Sequence, residues 1–150
     1  MLFRSDSDRQ ISLESFDAAW SQVKNGYDGV FGVRRRRHDP AIRLYLTKLV
    51  RFAVRLLFGI PIFDANVPYK LFRRSIWNEA REYIVCDTLA PSLFLAIFAK
   101  LRGYTIAEIE VAHRERNTGQ VSIRRLKLVK FAAKGFRQLM SFRKRVIHGR

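Results

Sequence analysis

Gly29-Val30-Phe31-Gly32-Val33 decides how the rest of the chain is read. Its β-branched and aromatic content marks a buried strand, and the neighbouring elements follow outward from it. On its amino-terminal side Leu13, Phe16, Trp20 and Val23 recur at spacings of three and four, with Ser12 placed to cap a helix and Gly26 to stop it. Residues 1–4 before that helix read as a strand running into Asp6-Ser7-Asp8. Strand, helix, strand is an α/β signature. On the other side Pro40 suits the first turn of a helix reaching Phe58, and Gly59 suits its end. Residues 60–74 predict a loop around Pro61, Asp64, Asn66 and Pro68 that passes into the strand-like Tyr69-Lys70-Leu71-Phe72. Helices are expected over 75–84 and 90–102, the second stopped by Gly103. A strand over 105–111 follows, with Glu108 and Glu110 giving it one wet face. Ser122 can cap a last long helix, with Ile123, Leu126, Val129, Ala133, Phe136 and Met140 on one side and cations over most of the other.

The 150 residues are 48% hydrophobic, with 12 Phe against 4 Pro and 8 Gly. That bounds the chain to one domain and is too apolar for a disordered basic tail. Cys86 has no second cysteine to pair with, which excludes an internal disulfide framework and favours a reducing compartment. The longest uncharged stretch, residues 88–99, is about a dozen residues, short of the roughly 20 that a spanning helix requires. The sequence therefore predicts a cytoplasmic protein, peripheral on the cytoplasmic membrane if it meets one.

With 29 Lys and Arg against 13 Asp and Glu, the formal charge is +16. An excess of this size implies an anionic partner: nucleic acid, a phospholipid surface or a phosphorylated substrate. Residues 116–150 hold eleven of the cations and no acid. In the helix after Pro40, Arg43, Thr47, Arg51 and Arg55 fall every four positions. That spacing fits either a largely buried helix with one narrow cationic edge or a helix lying at a lipid surface. Nucleic acid is disfavoured. The run Arg34-Arg35-Arg36-Arg37 sits between a strand and Pro40, where a solvated loop accounts for it, and neither an RNA-recognition submotif nor a Cys/His zinc module is present. His38, His113 and His148 are far apart in sequence and suggest no metal site, and Cys86 reads as a core residue rather than a nucleophile.

Two constellations could carry chemistry. Asp6 and Asp8 close the first strand, where carboxylates two apart can converge on a hard cation such as Mg²⁺ or Mn²⁺ that bridges to a diphosphate. The same spacing also describes a solvated turn in which an aspartate caps the next helix. His113-Arg114-Glu115-Arg116-Asn117-Thr118-Gly119 places guanidinium forks between a strand and a basic helix, an arrangement suited to phosphate. Its alternative is a solvated charge run in which the arginines pair with Glu110 and Glu115.

Taken in order, these segments resemble the C-terminal part of a family 2 glycosyltransferase, the group that includes dolichol-phosphate mannose synthase-like enzymes. Phe3-Arg4-Ser5-Asp6-Ser7-Asp8-Arg9-Gln10 resembles that family's strand and D-x-D-x-Q element, and Asp28 to Arg34 its strand ending in G-x-R. Asp64-Ala65-Asn66-Val67-Pro68-Tyr69-Lys70-Leu71-Phe72-Arg73-Arg74 is similar to its D-x-x-x-x-[FY]-[RK]-L-F-R-R stretch. Ile106, Glu108, Val111, His113, Arg114, Arg116, Gly119 and Ser122 are similar to I-x-E-x-x-V-x-H-R-x-R-x-x-G-x-x-S. The resemblance covers most of the chain, and its specificity lies in the order of the matches.

The resemblance implies a partial GT-A-like α/β fold over residues 1–122 with a basic amphipathic helix at 123–150. It implies inverting transfer of a sugar from a nucleotide-sugar donor to a lipid-phosphate or glycan acceptor. By position, Asp6 and Asp8 would hold a divalent cation, Mg²⁺ or Mn²⁺, and with Arg34, Arg114 and Arg116 the donor phosphates. Asp87 falls at the place of an acidic catalytic base, with Cys86-Asp87 standing for the usual Glu-Asp. Asp64 is the second catalytic candidate, and Tyr69 and Lys70 join it on the acceptor side. Family members carry about half a domain ahead of the D-x-D, whereas five residues precede Asp6 here, so the resemblance implies a truncated chain that binds donor poorly. The stripe after Pro40 and the acid-free last helix would then share one task, docking on an anionic membrane surface. The competing reading is a non-catalytic basic module for nucleic acid or anionic lipid, and a third is a structural remnant that has lost its nucleotide half.

Overall fold

Three strands run one way and a fourth runs against them, which fixes the edge of the sheet at which each connection leaves. The structure, a computed structural model, describes residues 1–4, 15–33, 41–62, 67, 69–111 and 125–148, with the side chains of all of these except 41–43, 125–129 and 148. Among these residues the elements in chain order are β1 (Leu2–Arg4), α1 (Ser15–Lys24), β2 (Gly29–Val33), α2 (Ala41–Phe58), β3 (Lys70–Phe72), α3 (Arg74–Ala80), α4 (Pro91–Leu101), β4 (Ile106–Glu110) and α5 (Arg125–His148). The sheet order is β1-β3-β2-β4, with β3 antiparallel to both neighbours and β2 parallel to β4. This is the mixed α/β class that the strand–helix–strand opening predicts.

The pleat sends alternate strand residues to opposite faces. Val30, Leu71, Tyr69 and Val111 form a small core with Ala19 of α1, against which Phe16 and Val23 pack. Phe31 and Phe72 point the other way, into a larger core built on α4 with contributions from α2, α3 and α5. Every residue of α4 from Ser92 to Ala99 is buried, as expected of a helix apolar on all sides. Gly32 keeps the sheet tight: a Cβ there would stand 3.0 Å from Tyr69 Cβ and 3.1 Å from the Val111 methyls. Only glycine allows β3 and the end of β4 to close this far on β2. Where β2 and β4 begin, Asp28 Oδ2 accepts from the backbone N–H and hydroxyl of Thr105, and Oδ1 meets Arg73 Nε at 3.0 Å.

Four expectations are corrected. The helix placed at 75–84 stops at Ala80, because the N–H groups of Glu82 and Tyr83 bond three residues back, to Glu79 and Ala80, and tighten the chain into turns. Cys86 is exposed, since it lies on the α3–α4 connection and not on an element with a core face. In α5 the packed side is Leu139, Phe142 and Val146, while Ala133, Phe131 and Phe136 face outward. The helix docks through its second half, where the Phe142 ring lies 4.8 Å from Phe94 and 6.1 Å from Phe58, and that contact sets its rotation. Finally, α2 is not largely buried with one narrow wet edge. Ala53 and Val54 are buried, yet Tyr45 (69%), Leu49 (46%), Phe52 (64%) and Leu56 (71%) are exposed. The place against the sheet belongs to α4, so α2 packs by one face only.

Candidate functional site

The register brings four chain ends to one edge of the sheet. Arg4 and Phe31 both pair with Lys70 at the start of β3, and Val33 pairs with Glu110 at the end of β4. Val111 N–H donates to Val33 O at 3.1 Å, which carries the parallel pairing one residue further. β1, β2 and β4 therefore all finish where β3 begins. Ligands of open α/β sheets bind at the carboxyl ends of parallel strands, so this edge is the candidate site.

In sequence, the segments joined to this edge are the ones that carry the predicted residues. Asp6 and Asp8 follow β1, Arg34 follows β2, Arg114 and Arg116 follow β4, and Asp64 precedes β3. All six lie outside the described residues. Among the described residues no group of three or more His, Cys, Asp and Glu is placed to hold a metal ion. The expected donors, Asp6 and Asp8, are not among them.

Tyr69 and Lys70 are described, and both are fully buried at the candidate edge. Tyr69 projects into the α1-side core, edge-on to Phe3 with ring centroids 5.1 Å apart, and its backbone O accepts from Gly32 N–H at 2.9 Å. Its hydroxyl has no hydrogen-bond partner among the described residues. Burial, and secondarily the negative charge of Asp17, pushes the phenol above its ordinary pKa, so it is a protonated donor at neutral pH. Lys70 points to the opposite face, where Nζ donates to Val67 O and stands 4.9 Å from the Phe31 ring centroid. The chain thus devotes two polar side chains to bracing the start of β3 from both faces.

Asp87 stands apart from that pair. It lies on the α3–α4 connection, with its carboxylate largely exposed and 3.7 Å from Lys134 of α5. Gln138 of α5 clamps the same connection: its Nε2 donates to Asp87 O at 3.1 Å and its Oε1 accepts from Leu89 N–H at 3.0 Å. Sequence reasoning does not single out Gln138. A lone glutamine in a run of cations carries no periodic signal, and only the packing angle of α5 reveals its use.

Comparison with known proteins adds the chemistry. The chain is similar to undecaprenyl-phosphate sugar transferases. It is 31% identical over 120 residues to undecaprenyl-phosphate 4-deoxy-4-formamido-L-arabinose transferase of Shewanella sediminis (strain HAW-EB3), covering 80% of this chain and 35% of that protein. The transferases of the same name from Pseudomonas fluorescens (strain Pf0-1) and Pseudomonas aeruginosa (strain LESB58) are each 30% identical over 124 residues, covering 83% of this chain and 35% of theirs. The chain spans about a third of the length of these curated relatives, whose names describe glycosyl transfer involving a lipid phosphate. No protein-family model and no solved structure matches. No helix among the described residues is long and apolar enough to cross a membrane.

Proposed function

We propose that this chain carries the phosphate-binding, metal-binding and acceptor residues of an inverting glycosyltransferase that moves a sugar from a nucleotide-sugar donor to a polyprenyl-type lipid phosphate at a membrane surface. The observation that carries the reading is the convergence of β1, β2, β3 and β4 on one edge. In sequence, the segments that bear Asp6, Asp8, Arg34, Arg114 and Arg116 follow the strands that finish there, and the one that bears Asp64 precedes β3. Similarity to transferases named for undecaprenyl phosphate supports the reaction class and a lipid-phosphate acceptor. In this reading the sheet is part of a GT-A-like domain.

The roles follow from the chemistry of the side chains. Arg34, Arg114 and Arg116 bind phosphate oxygens, as guanidinium forks do with two parallel hydrogen bonds. Asp6 and Asp8 are hard oxygen donors suited to Mg²⁺ or Mn²⁺, which would supply charge neutralisation at the diphosphate. An acceptor phosphate monoester loses its second proton near pH 6, so its oxygen is already a nucleophile at neutral pH. A strong general base is then not required, and the exposed Asp87 serves to orient the acceptor. Tyr69 and Lys70, packed on opposite faces, hold the start of β3.

The test is a thermal-shift titration with UDP- and GDP-sugars in the presence of Mn²⁺, paired with an assay for sugar transfer to undecaprenyl phosphate. Saturable stabilisation that is lost in Asp8→Asn, or transfer that is lost in the same variant, supports the proposal. Neither stabilisation nor transfer with any donor overturns it.

A further inference from the structure

Between the ends of α4 and α5 lies a cleft of about 150 Å³, lined by Leu101, Arg102, Val146 and Ile147. Arg102 follows the last residue of α4 and stands four positions before β4 begins. On the chain the cleft thus sits beside the edge where β2 and β4 start, opposite the edge of the candidate site. Three of its four lining residues are aliphatic. Val146 is buried, whereas Ile147 is 45% exposed and forms the rim.

The guanidinium of Arg102 is held in place without being satisfied. It lies over the rings of Tyr83 and Phe98, 5.5 and 5.4 Å from their centroids, and Nη2 donates to the Tyr83 hydroxyl at 2.9 Å. Tyr83 is fixed in turn, since Arg145 Nε donates to its backbone O at 3.0 Å. Arg102 Nε is shut off from water and has no acceptor among the described residues, with none of which Arg102 forms an ion pair. A charged N–H denied both water and a protein acceptor is costly, and an acceptor bound in the cleft removes that cost.

The lining selects the chemistry of that acceptor. One cation among aliphatic side chains matches a single negative charge on an apolar body. A phosphate monoester, close to doubly charged at neutral pH, would press oxygens against Leu101, Val146 and Ile147, whose side chains have no donors to meet them. A planar carboxylate needs only the edge of the guanidinium. An apolar-walled cavity of this size accommodates about six carbons.

We propose that this cleft is a binding site for a small aliphatic carboxylate, with the head group on Arg102 and the chain against Leu101, Val146 and Ile147. The site stands apart from the edge to which the transfer chemistry is assigned. It does not rest on the transferase reading, and its test uses no sugar donor or lipid acceptor, so the two fail separately.

The experiment is an NMR titration of the full chain with sodium hexanoate, following the Arg102 side-chain Nε–H and the backbone amides of Leu101, Val146 and Ile147. All are expected to shift along one saturation curve. Acetate, which lacks the chain, and hexanol, which lacks the charge, should each bind about tenfold more weakly or worse. Arg102→Gln should weaken hexanoate binding by about tenfold or more, whereas Arg81→Gln, an equal loss of charge at an exposed site, should not. Circular dichroism verifies that each variant is folded. Should Arg102→Gln fail to fold, Ile147→Glu puts a carboxylate at the rim and must weaken hexanoate binding to the same degree. Absence of a saturable shift, acetate or hexanol matching hexanoate, or a folded variant at position 102 or 147 that binds as the parent does, overturns the proposal. Equal weakening by Arg81→Gln also overturns it, because that result marks a general attraction to the cationic surface.

Discussion

Asp28 Oδ2 accepts two hydrogen bonds from a single residue 77 positions away, the Thr105 N–H at 3.0 Å and the Thr105 hydroxyl at 2.8 Å. Those bonds, and then the positive charge of Arg73, hold the Asp28 carboxyl below the usual carboxylate pKa against the opposing effect of its partial burial. A carboxyl whose pKa is depressed by folding stabilises the native state above its unfolded pKa of about 3.9 and loses that contribution as the pH falls through the folded value. Asp28→Asn should therefore cost about 1–2 kcal/mol at pH 7. In urea titrations across pH the gap between wild type and variant should close below about pH 4; a gap that stays constant into acid would contradict the assignment.

Gly32→Ala tests the tight closure of the sheet. The added methyl would press on Tyr69 Cβ at 3.0 Å and on the Val111 methyls at 3.1 Å. Tyr69 and Val111 are buried and adjoin paired strands, so the expected loss is about 1–3 kcal/mol, read as a lower urea midpoint. A neutral result would show that β3 and β4 can yield.

In α5 the corrected rotation predicts opposite outcomes for two phenylalanines six residues apart. Phe142 is fully buried against Phe94 and Phe58, so Phe142→Ala should cost about 3–5 kcal/mol. Phe136 is half exposed, so Phe136→Ser should stay within about 0.5 kcal/mol. The sequence-derived apolar face predicts the reverse order.

Gln138→Ala removes both arms of the clamp on the α3–α4 connection. Hydrogen exchange at Leu89 should accelerate, because its N–H loses the acceptor Gln138 Oε1, while amides of α4 stay protected. The expected stability loss is about 1 kcal/mol. If Asp87 acts on the acceptor, transfer activity should fall more than stability, since a loosened connection no longer holds its carboxylate in place.

The strands and the glycine-stopped helix ends are legible because their signals are local. Gly29–Val33 carries its β-branched and aromatic run, and the stop at Gly59 is written as a residue free to adopt φ +71°. The faces of α2 and α5 were not legible. Both are apolar at more positions than one packing face needs, so periodicity alone permits several rotations, and contacts such as Phe142 with Phe94 decide among them. At the candidate site, sequence order placed the acidic and arginine-bearing segments after strands, and the pairing of Lys70 with both Arg4 and Phe31 explains why those strand ends share an edge. The burial of Tyr69 and Lys70 could not be read, because their strand is short and its second covered face comes from α1, distant in sequence.

The parallel pairing of β2 with β4 also governs how the chain is made. At about 5–20 residues per second, the 77 positions between Asp28 and Thr105 take about 4–15 s to translate. Until Lys70 to Phe72 are made, both edges of the strand that holds Val30 and Phe31 are unmated, and from then until β4 is made one edge still is. Nascent chains of this protein should accordingly be most prone to capture by chaperones, or to mispairing with one another, until Ile106 has been synthesised.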